Sequence, residues 1–202
     1  MSQTASASAG LRVAVLFSGR GSNLESLAKH MAQDSVPAEL VLGISNRPKA
    51  GGIEICAARN IPCQVIDHKD FDNRAAFEAV LHEALTEAQV DLICCAGFMR
   101  LLTAEFVTAW HDRLINIHPS LLPAYKGLNT HARALQDGVA THGCSVHYMR
   151  PEMDDGPVIV QKQVSVLPDD TPDTLAARVL GVEHGAYCDA LDIVIKKMAD
   201  TA

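Results

Sequence analysis

Residues 11–27 read LRVAVLFSGRGSNLESL. The apolar run Leu11 to Phe17 passes into Ser18-Gly19-Arg20-Gly21-Ser22-Asn23, after which Leu24, Leu27, Ala28 and Met31 recur at i, i+3, i+4 and i+7. That spacing lines one face of a helix. A buried strand, a glycine turn and a helix in direct succession open an α/β chain. Glycines let the backbone turn sharply and approach an anion, and the helix N-terminus behind them offers unpaired N–H groups at a positive dipole end. Position 24 is Leu, so the third glycine of G-x-G-x-x-G is absent; no acidic residue closes the next apolar run, and no Walker lysine follows. Dinucleotide binding is therefore poorly served. A single phosphate monoester fits the turn better, and a plain tight turn fits it too.

Working outward, the same alternation repeats. Leu40 to Ile44 ends in the polar turn Ser45-Asn46-Arg47-Pro48, a weaker helix runs through Ile53 to Ala58, and a short apolar run spans Cys63 to Ile66. Phe77, Val80, Leu81, Ala84 and Leu85 stripe a long helix from about Asn73 to Gln89, with Asp72 as its expected N-cap. Val90 to Ala96 and Leu114 to Ile117 are continuous apolar strands around a short helix containing Phe106, Val107 and Trp110. Such strands alternating with helices form a parallel sheet buried on both faces. The pattern then changes. Ser145 to Met149 and Val158 to Val166 read as strands joined by a loop containing Asp155-Gly156, a hairpin signal. Thr171-Pro172 opens a last helix, with Pro at a first helical position. The expected fold is an open, mostly parallel, Rossmann-like sheet flanked by helices, with a C-terminal hairpin and closing helix. Residues 1–10 are expected to be a flexible tail and residues 11–202 a single domain.

Composition limits the function classes. Of 202 residues, 48% are hydrophobic and 20% charged, as in an ordinary globular protein and unlike a disordered chain. No apolar run reaches the length of about 18 residues that a membrane span needs. Lys and Arg number 17 against 24 Asp and Glu, a net charge of −7. That balance argues against nucleic-acid binding, which needs a basic surface. The opening MSQTASASAG lacks the basic and hydrophobic regions of a secretory signal, so a reducing cytoplasm is the expected compartment. Cys56, Cys63, Cys94, Cys95, Cys144 and Cys188 form no C-x-x-C pair and are expected to be reduced and mostly buried. Cys94 and Cys95, adjacent on a strand, would face opposite sides of the sheet.

Two further stretches carry chemistry. Asn116-Ile117-His118-Pro119-Ser120 ends an apolar strand. Residues two apart share one strand face, and ligands of open α/β sheets gather at the strands' C-terminal ends. Asn116 and His118 thus aim an amide donor and a titratable imidazole at one point, where they would stabilise an oxyanion and move a proton; equally, they would finish a strand and cap a loop. Glu152-Met153-Asp154-Asp155-Gly156-Pro157 is the acidic loop of the hairpin. A carboxylate from it beside His118 would favour the protonated ring and fix its orientation; a solvated turn is the other reading. No ligand set for a metal is evident. His30, His68, His82, His111, His142 and His184 are expected on helices or turns, at the surface or at helix ends, with His131 and His147 intermediate.

Together the segments VLFSGRGSNLESL, AGFMRLL, LINIHPSLLPAYKGLNTH and VHYMRPEMDDGPVIVQ resemble the folate-dependent formyltransferases, in that family's order and spacing, from about residue 11 to 190. The resemblance implies transfer of a formyl group from 10-formyltetrahydrofolate to the amine of glycinamide ribonucleotide in purine synthesis, by a monomer or homodimer without a metal. It implies that His118 is the general acid, Asn116 the polarising amide and Asp154 the carboxylate that holds the histidine. Gly21, Ser22 and Asn23 would bind the phosphate and Glu183 the ribose. Met99, Arg100, Leu101 and Leu102, with Asn116, would line the folate pocket, and Arg74 would help to bind the folate. Three positions depart from the family pattern: Asn129 where some members have His, Leu180 where many have a polar residue, and Asp155 where some have a small one. Formyltetrahydrofolate hydrolysis with the same His, Asn and Asp is the competing activity, and a folate- or nucleotide-binding module without catalysis is the competing class. A catalytic acid is what the second would not need.

Overall fold

The apolar run Leu11–Phe17 forms β1 near the middle of a seven-stranded sheet, in the computed structural model that describes residues 10–201. The expected tail, apart from Gly10, lies outside the described residues. After β1 come α1 (Ser22–Met31), β2 (Ala38–Ser45), α2 (Gly52–Ala58), β3 (Cys63–Val65), α3 (Arg74–Glu87) and β4 (Leu92–Cys95). Then follow α4 (Ala104–Ala109), β5 (Leu114–His118), α5 (Thr130–Gln136), β6 (Thr141–Tyr148), β7 (Val158–Ser165) and α6 (Pro172–Ala199).

The sheet order is β3-β2-β1-β4-β5-β6-β7. The first five pair in parallel, and β6 and β7 complete the sheet antiparallel. This is the expected mostly parallel open sheet with its hairpin and closing helix. The chain winds outward from β1 in one direction and from β4 in the other, so a crevice opens between their C-terminal ends.

Strand alternation divides the core in two. Val13, Val15 and Phe17 face α1, α2 and α6, whereas Ala14 and Leu16 face α3 and α4. Cys94 and Cys95 fall on opposite sides, both buried. Among the described residues all six cysteines are free thiols. Helix α6 begins with a Thr171–Thr174 capping box and Pro172 at its start. Its Tyr187 hydroxyl, fully buried, donates to the Cys95 carbonyl at 2.9 Å and locks the helix across the sheet. No helix among the described residues is long and apolar enough to cross a membrane.

Three expectations need correction. The N-cap of α3 is Asn73, whose side chain accepts from the Ala76 N–H at 2.9 Å; Asp72 stands one residue too early to reach that donor. Helix α5 had no counterpart in the sequence reading, because only Thr130 and Ala134 of its seven residues are buried, too few to set a period. His142 is not on a helix or turn but on β6, 1% exposed.

Candidate active site

Ser18 and the glycine turn follow β1, Gly97 to Leu102 follow β4, and His118 ends β5, so three consecutive strands bring their loops to one sheet edge. Gly21 is the N-cap of α1 at φ +86°, and no side chain caps the helix. A Cβ there would stand 2.6 Å from Gly52 Cα, so glycine is required both by the dihedral angle and by the approach of α2. The first N–H groups of α1 are thus left for an acceptor from outside the helix.

Asn23 on α1 is buried, and its Nδ2 donates to Glu183 Oε2 of α6 at 2.8 Å. Its Oδ1 is buried without a hydrogen-bond partner, an arrangement that costs free energy unless something completes it. Burial raises the Glu183 carboxyl above its ordinary value, against the pull of the Asn23 hydrogen bond. Two residues 160 apart, both expected at the phosphoribosyl end, are therefore in contact.

At the end of β5, Asn116 and His118 share one strand face, facing His147 and Ser145 of β6 in register. His118 is 6% exposed. Its Nε2 lies 2.9 Å from the Tyr125 carbonyl, which can only accept, so Nε2 carries a proton. Its Nδ1 lies 3.4 Å from Asp154 Oδ2, an ion-pair separation. Asp154 is held in the left-handed region at φ +52°, which Asp tolerates better than most residues. Its Oδ2 also accepts from the Gly127 N–H at 2.9 Å. Asp155 turns outward to Lys126, so only Asp154 of the two faces His118. Gly156 permits this loop: a Cβ there would overlap the Tyr148 carbonyl oxygen at 1.6 Å.

The loop from Pro119 to Asn129 is fastened to the sheet. Ser145 Oγ donates to the Ser120 carbonyl at 2.6 Å and accepts from the Leu122 N–H at 2.9 Å. The Tyr125 ring meets His142 edge-on, and His142 Nε2 lies 3.2 Å from His131 Nδ1. Burial pushes His142 down to about 4 and, together with His118, lowers His131 as well. This weakly basic pair thus backs the loop whose Tyr125 carbonyl accepts the hydrogen bond from His118 Nε2–H.

The segment after β4 is pinned at both ends. The Met99 N–H donates to Ser18 Oγ at 2.7 Å, and Ser18 Oγ donates to Asn46 Oδ1 at 2.5 Å. Buried Glu78 of α3 accepts from the Thr103 N–H at 2.8 Å. Between these anchors, Met99 and Leu101 are exposed, Leu102 is buried beside Phe106, and Arg100 Nε is buried without a partner. Arg74 stands exposed at the first turn of α3, and among the described residues it makes no hydrogen bond or ion pair with the others. Among the described residues no three His, Cys, Asp or Glu side chains are grouped to hold a metal ion.

Four participants escaped the sequence reading. Ser18, Asn46 and Glu78 tie the loops together, and His147 touches Asn116 Nδ2 at 3.3 Å. None of these contacts left a usable signal in the sequence: even His147 is set opposite Asn116 only by the register in which β5 and β6 pair.

Known proteins resemble this chain in sequence and in fold. Residues 11–191 match the family described as Formyl transferase. The chain is 46% identical over 190 residues, 93% of its length, to the trifunctional purine biosynthetic protein adenosine-3 of Drosophila melanogaster, of which it spans 14%. It is 38% identical to phosphoribosylglycinamide formyltransferase of Escherichia coli, covering 94% of this chain and 88% of that one. The crystal structure of phosphoribosylglycinamide formyltransferase from Anaplasma phagocytophilum superposes with a TM-score of 0.87 at 43% identity, over 93% of this chain and 87% of that one. With a sheet edge built as described and a match that runs from β1 into α6, this chain belongs to the formyl transferase family.

Proposed function

We propose that the chain transfers a formyl group from 10-formyltetrahydrofolate to the primary amine of glycinamide ribonucleotide, by direct attack of the amine, with residues 11–202 acting as one domain. The observation that carries this reading is the placement of Asn116 and His118 on one face at the end of β5, with Asp154 behind the imidazole. The amine nitrogen bonds to the formyl carbon of the folate, the bond from that carbon to the folate nitrogen breaks, and the proton the amine loses is taken up by that nitrogen as tetrahydrofolate leaves. The chain's own residues do the rest. The Asn116 amide and the protonated His118 ring present donors to the oxygen on which negative charge develops, the kind of preorganised electrostatic stabilisation that usually contributes most to such a step. His118 Nε2–H would exchange the Tyr125 carbonyl for that oxygen. Asp154 steadies the imidazolium through Nδ1.

The fit of the two ligands rests on unfilled polar atoms. The uncapped α1 N-terminus suits a phosphate, with Ser22 and Asn23 beside it and Asn23 Oδ1 and Glu183 placed for a sugar hydroxyl donor. The pinned backbone from Met99 to Leu102 offers fixed donors and acceptors to a flat heterocycle, with Leu101 as apolar wall and Arg100 and Arg74 as cations for an acidic tail. Leu180 leaves phosphate recognition to the backbone. The partners are these two small molecules, without nucleic acid or membrane, and free thiols fit a cytoplasmic enzyme. The test is to incubate the chain with 10-formyltetrahydrofolate, with and without glycinamide ribonucleotide. Tetrahydrofolate release should require the ribonucleotide and match formylated product one for one. Release without it would make the chain a hydrolase, and no release in either case would leave a binding module.

A further inference from the structure

His147 is opposite Asn116 in the β5–β6 register and is 1% exposed. Its Nδ1 lies 3.0 Å from the Tyr148 carbonyl oxygen. A carbonyl only accepts, so Nδ1 carries the proton and the neutral ring keeps its lone pair on Nε2. Asn116 Nδ2 stands 3.3 Å from that Nε2. The opposite amide orientation would set two lone pairs against each other. One Asn116 N–H is therefore committed to His147, and amide planarity fixes where the second one points.

We propose that His147 is a positioning residue: its neutral ring, protonated at Nδ1, clamps the Asn116 amide so that the remaining N–H is presented to the reacting oxygen. This rests on the reading of Asn116 given above. The groups facing the ring are Asn116 and His118 of β5, Asp154 of the hairpin loop at 3.8 Å from Nε2, and the Tyr148 carbonyl. Burial lowers the ring's proton affinity and outweighs the opposing pull of the Tyr148 carbonyl and Asp154, while His118 lowers it further. The clamp is thus kept in its neutral form near neutral pH. Protonation would reverse it in two ways. Nε2 would become a donor and release Asn116, and it would draw Asp154 Oδ1 towards itself and away from His118. Turnover should therefore fall as pH drops through the lowered His147 value.

Two experiments on the whole chain decide the matter. Nitrogen-15 NMR of the His147 ring should show a protonated Nδ1 and an unprotonated Nε2 at neutral pH, with the ring still neutral below the ordinary histidine range. A proton on Nε2 instead, or a charged ring at neutral pH, overturns the proposal. Kinetics supply the second readout. His147→Leu removes the acceptor and should lower kcat about 10- to 100-fold, as a misplaced group does, with KM for both substrates nearly unchanged. His147→Gln carries an amide oxygen to about the position of Nε2 and should restore most of the rate, with no acid limb from residue 147. In an Asn116→Ala background, His147→Leu should cost nothing more, because the two act as a unit. An equal loss in that background, or a Gln variant as slow as the Leu one, overturns the proposal. If the NMR result holds and the wild-type chain moves no formyl group, the clamp stands and the functional reading falls.

Discussion

At the end of β1 the chain offers backbone: Gly21 at φ +86°, an α1 N-terminus with no side-chain cap, and α2 packed so closely that a Cβ at Gly21 has no room. At the end of β5 it offers side chains: Asn116, His118, Asp154 and His147, brought from two strands and a hairpin loop. An anion with fixed charge can be held by peptide N–H groups, which never change protonation. A reaction also needs a group that gives and takes a proton, which peptide groups do not supply. The two regions should therefore fail differently. The first should be sensitive to any added atom, and the second to the loss of one specific polar atom at constant shape.

The largest effect is expected at the side-chain end. His118→Ala and Asn116→Ala should each lower kcat about 10²- to 10³-fold, the usual cost of one oxyanion donor. Calorimetry should find glycinamide ribonucleotide bound nearly as before. Weakened binding at unchanged kcat would dissolve the division of labour.

Next comes the backbone end. Gly21→Val should weaken glycinamide ribonucleotide at least about tenfold and lower stability by about 1–3 kcal/mol, the cost of a residue forced into a sparsely populated conformation. Folate binding should be largely kept, as titration of each ligand will show. Gly19→Ala sharpens the contrast, since a Cβ at Gly19 meets nothing within 4 Å and should cost little. Equal losses at the two glycines would mean that close backbone approach is not what the turn provides.

Between the two regions runs Ser18, which borders the glycine turn and holds the Met99 N–H. Ser18→Ala strands that donor and the buried Asn46 amide, worth about 1–3 kcal/mol each when left unsatisfied. The KM for the folate should rise about tenfold, the equivalent of 1.4 kcal/mol, with kcat less affected. An unchanged folate KM would show that the two loops are independent.

The smallest effect is a pH dependence. Burial raises the Glu183 carboxyl, so the folded chain binds that proton more tightly than the unfolded one. The stability this contributes is full below the ordinary carboxylate pKa and is lost as pH rises through the raised value. Glu183→Gln keeps the Asn23 contact and lacks the titration, so its stability should gain on wild type across that window. Parallel stability curves in denaturant titrations at several pH values would contradict this.

What the sequence made legible follows the same division. The turn at Ser18 to Asn23 lies within six consecutive residues, and its strand and helix announce themselves by local periodicity. Asn116 and His118 were legible as a pair because strand alternation is local too. Asp154 rather than Asp155 is implied by the family resemblance alone; what turns Asp154 and not Asp155 towards His118 is the left-handed backbone at Asp154 and the Lys126 partner of Asp155. His147 was not legible as a partner of Asn116, because that contact depends on how a strand 31 residues away pairs in register. Likewise His142 and His131 meet through a helix with too few buried residues to show a period.

The central proposal is that His118 and Asp154 form one catalytic unit distinct from the glycine turn after β1. Its most direct test is single-turnover formyl transfer to glycinamide ribonucleotide by His118→Ala, Asp154→Asn and the double variant, with ribonucleotide affinity measured alongside. Asp154→Asn should slow the transfer step, His118→Ala should slow it at least as much, and the double variant should be little slower than His118→Ala alone, because groups acting together are not additive. Affinity should stay close to wild type throughout. Losses that simply multiply, or an Asp155→Asn variant that reproduces the defect while Asp154→Asn stays active, would contradict the account.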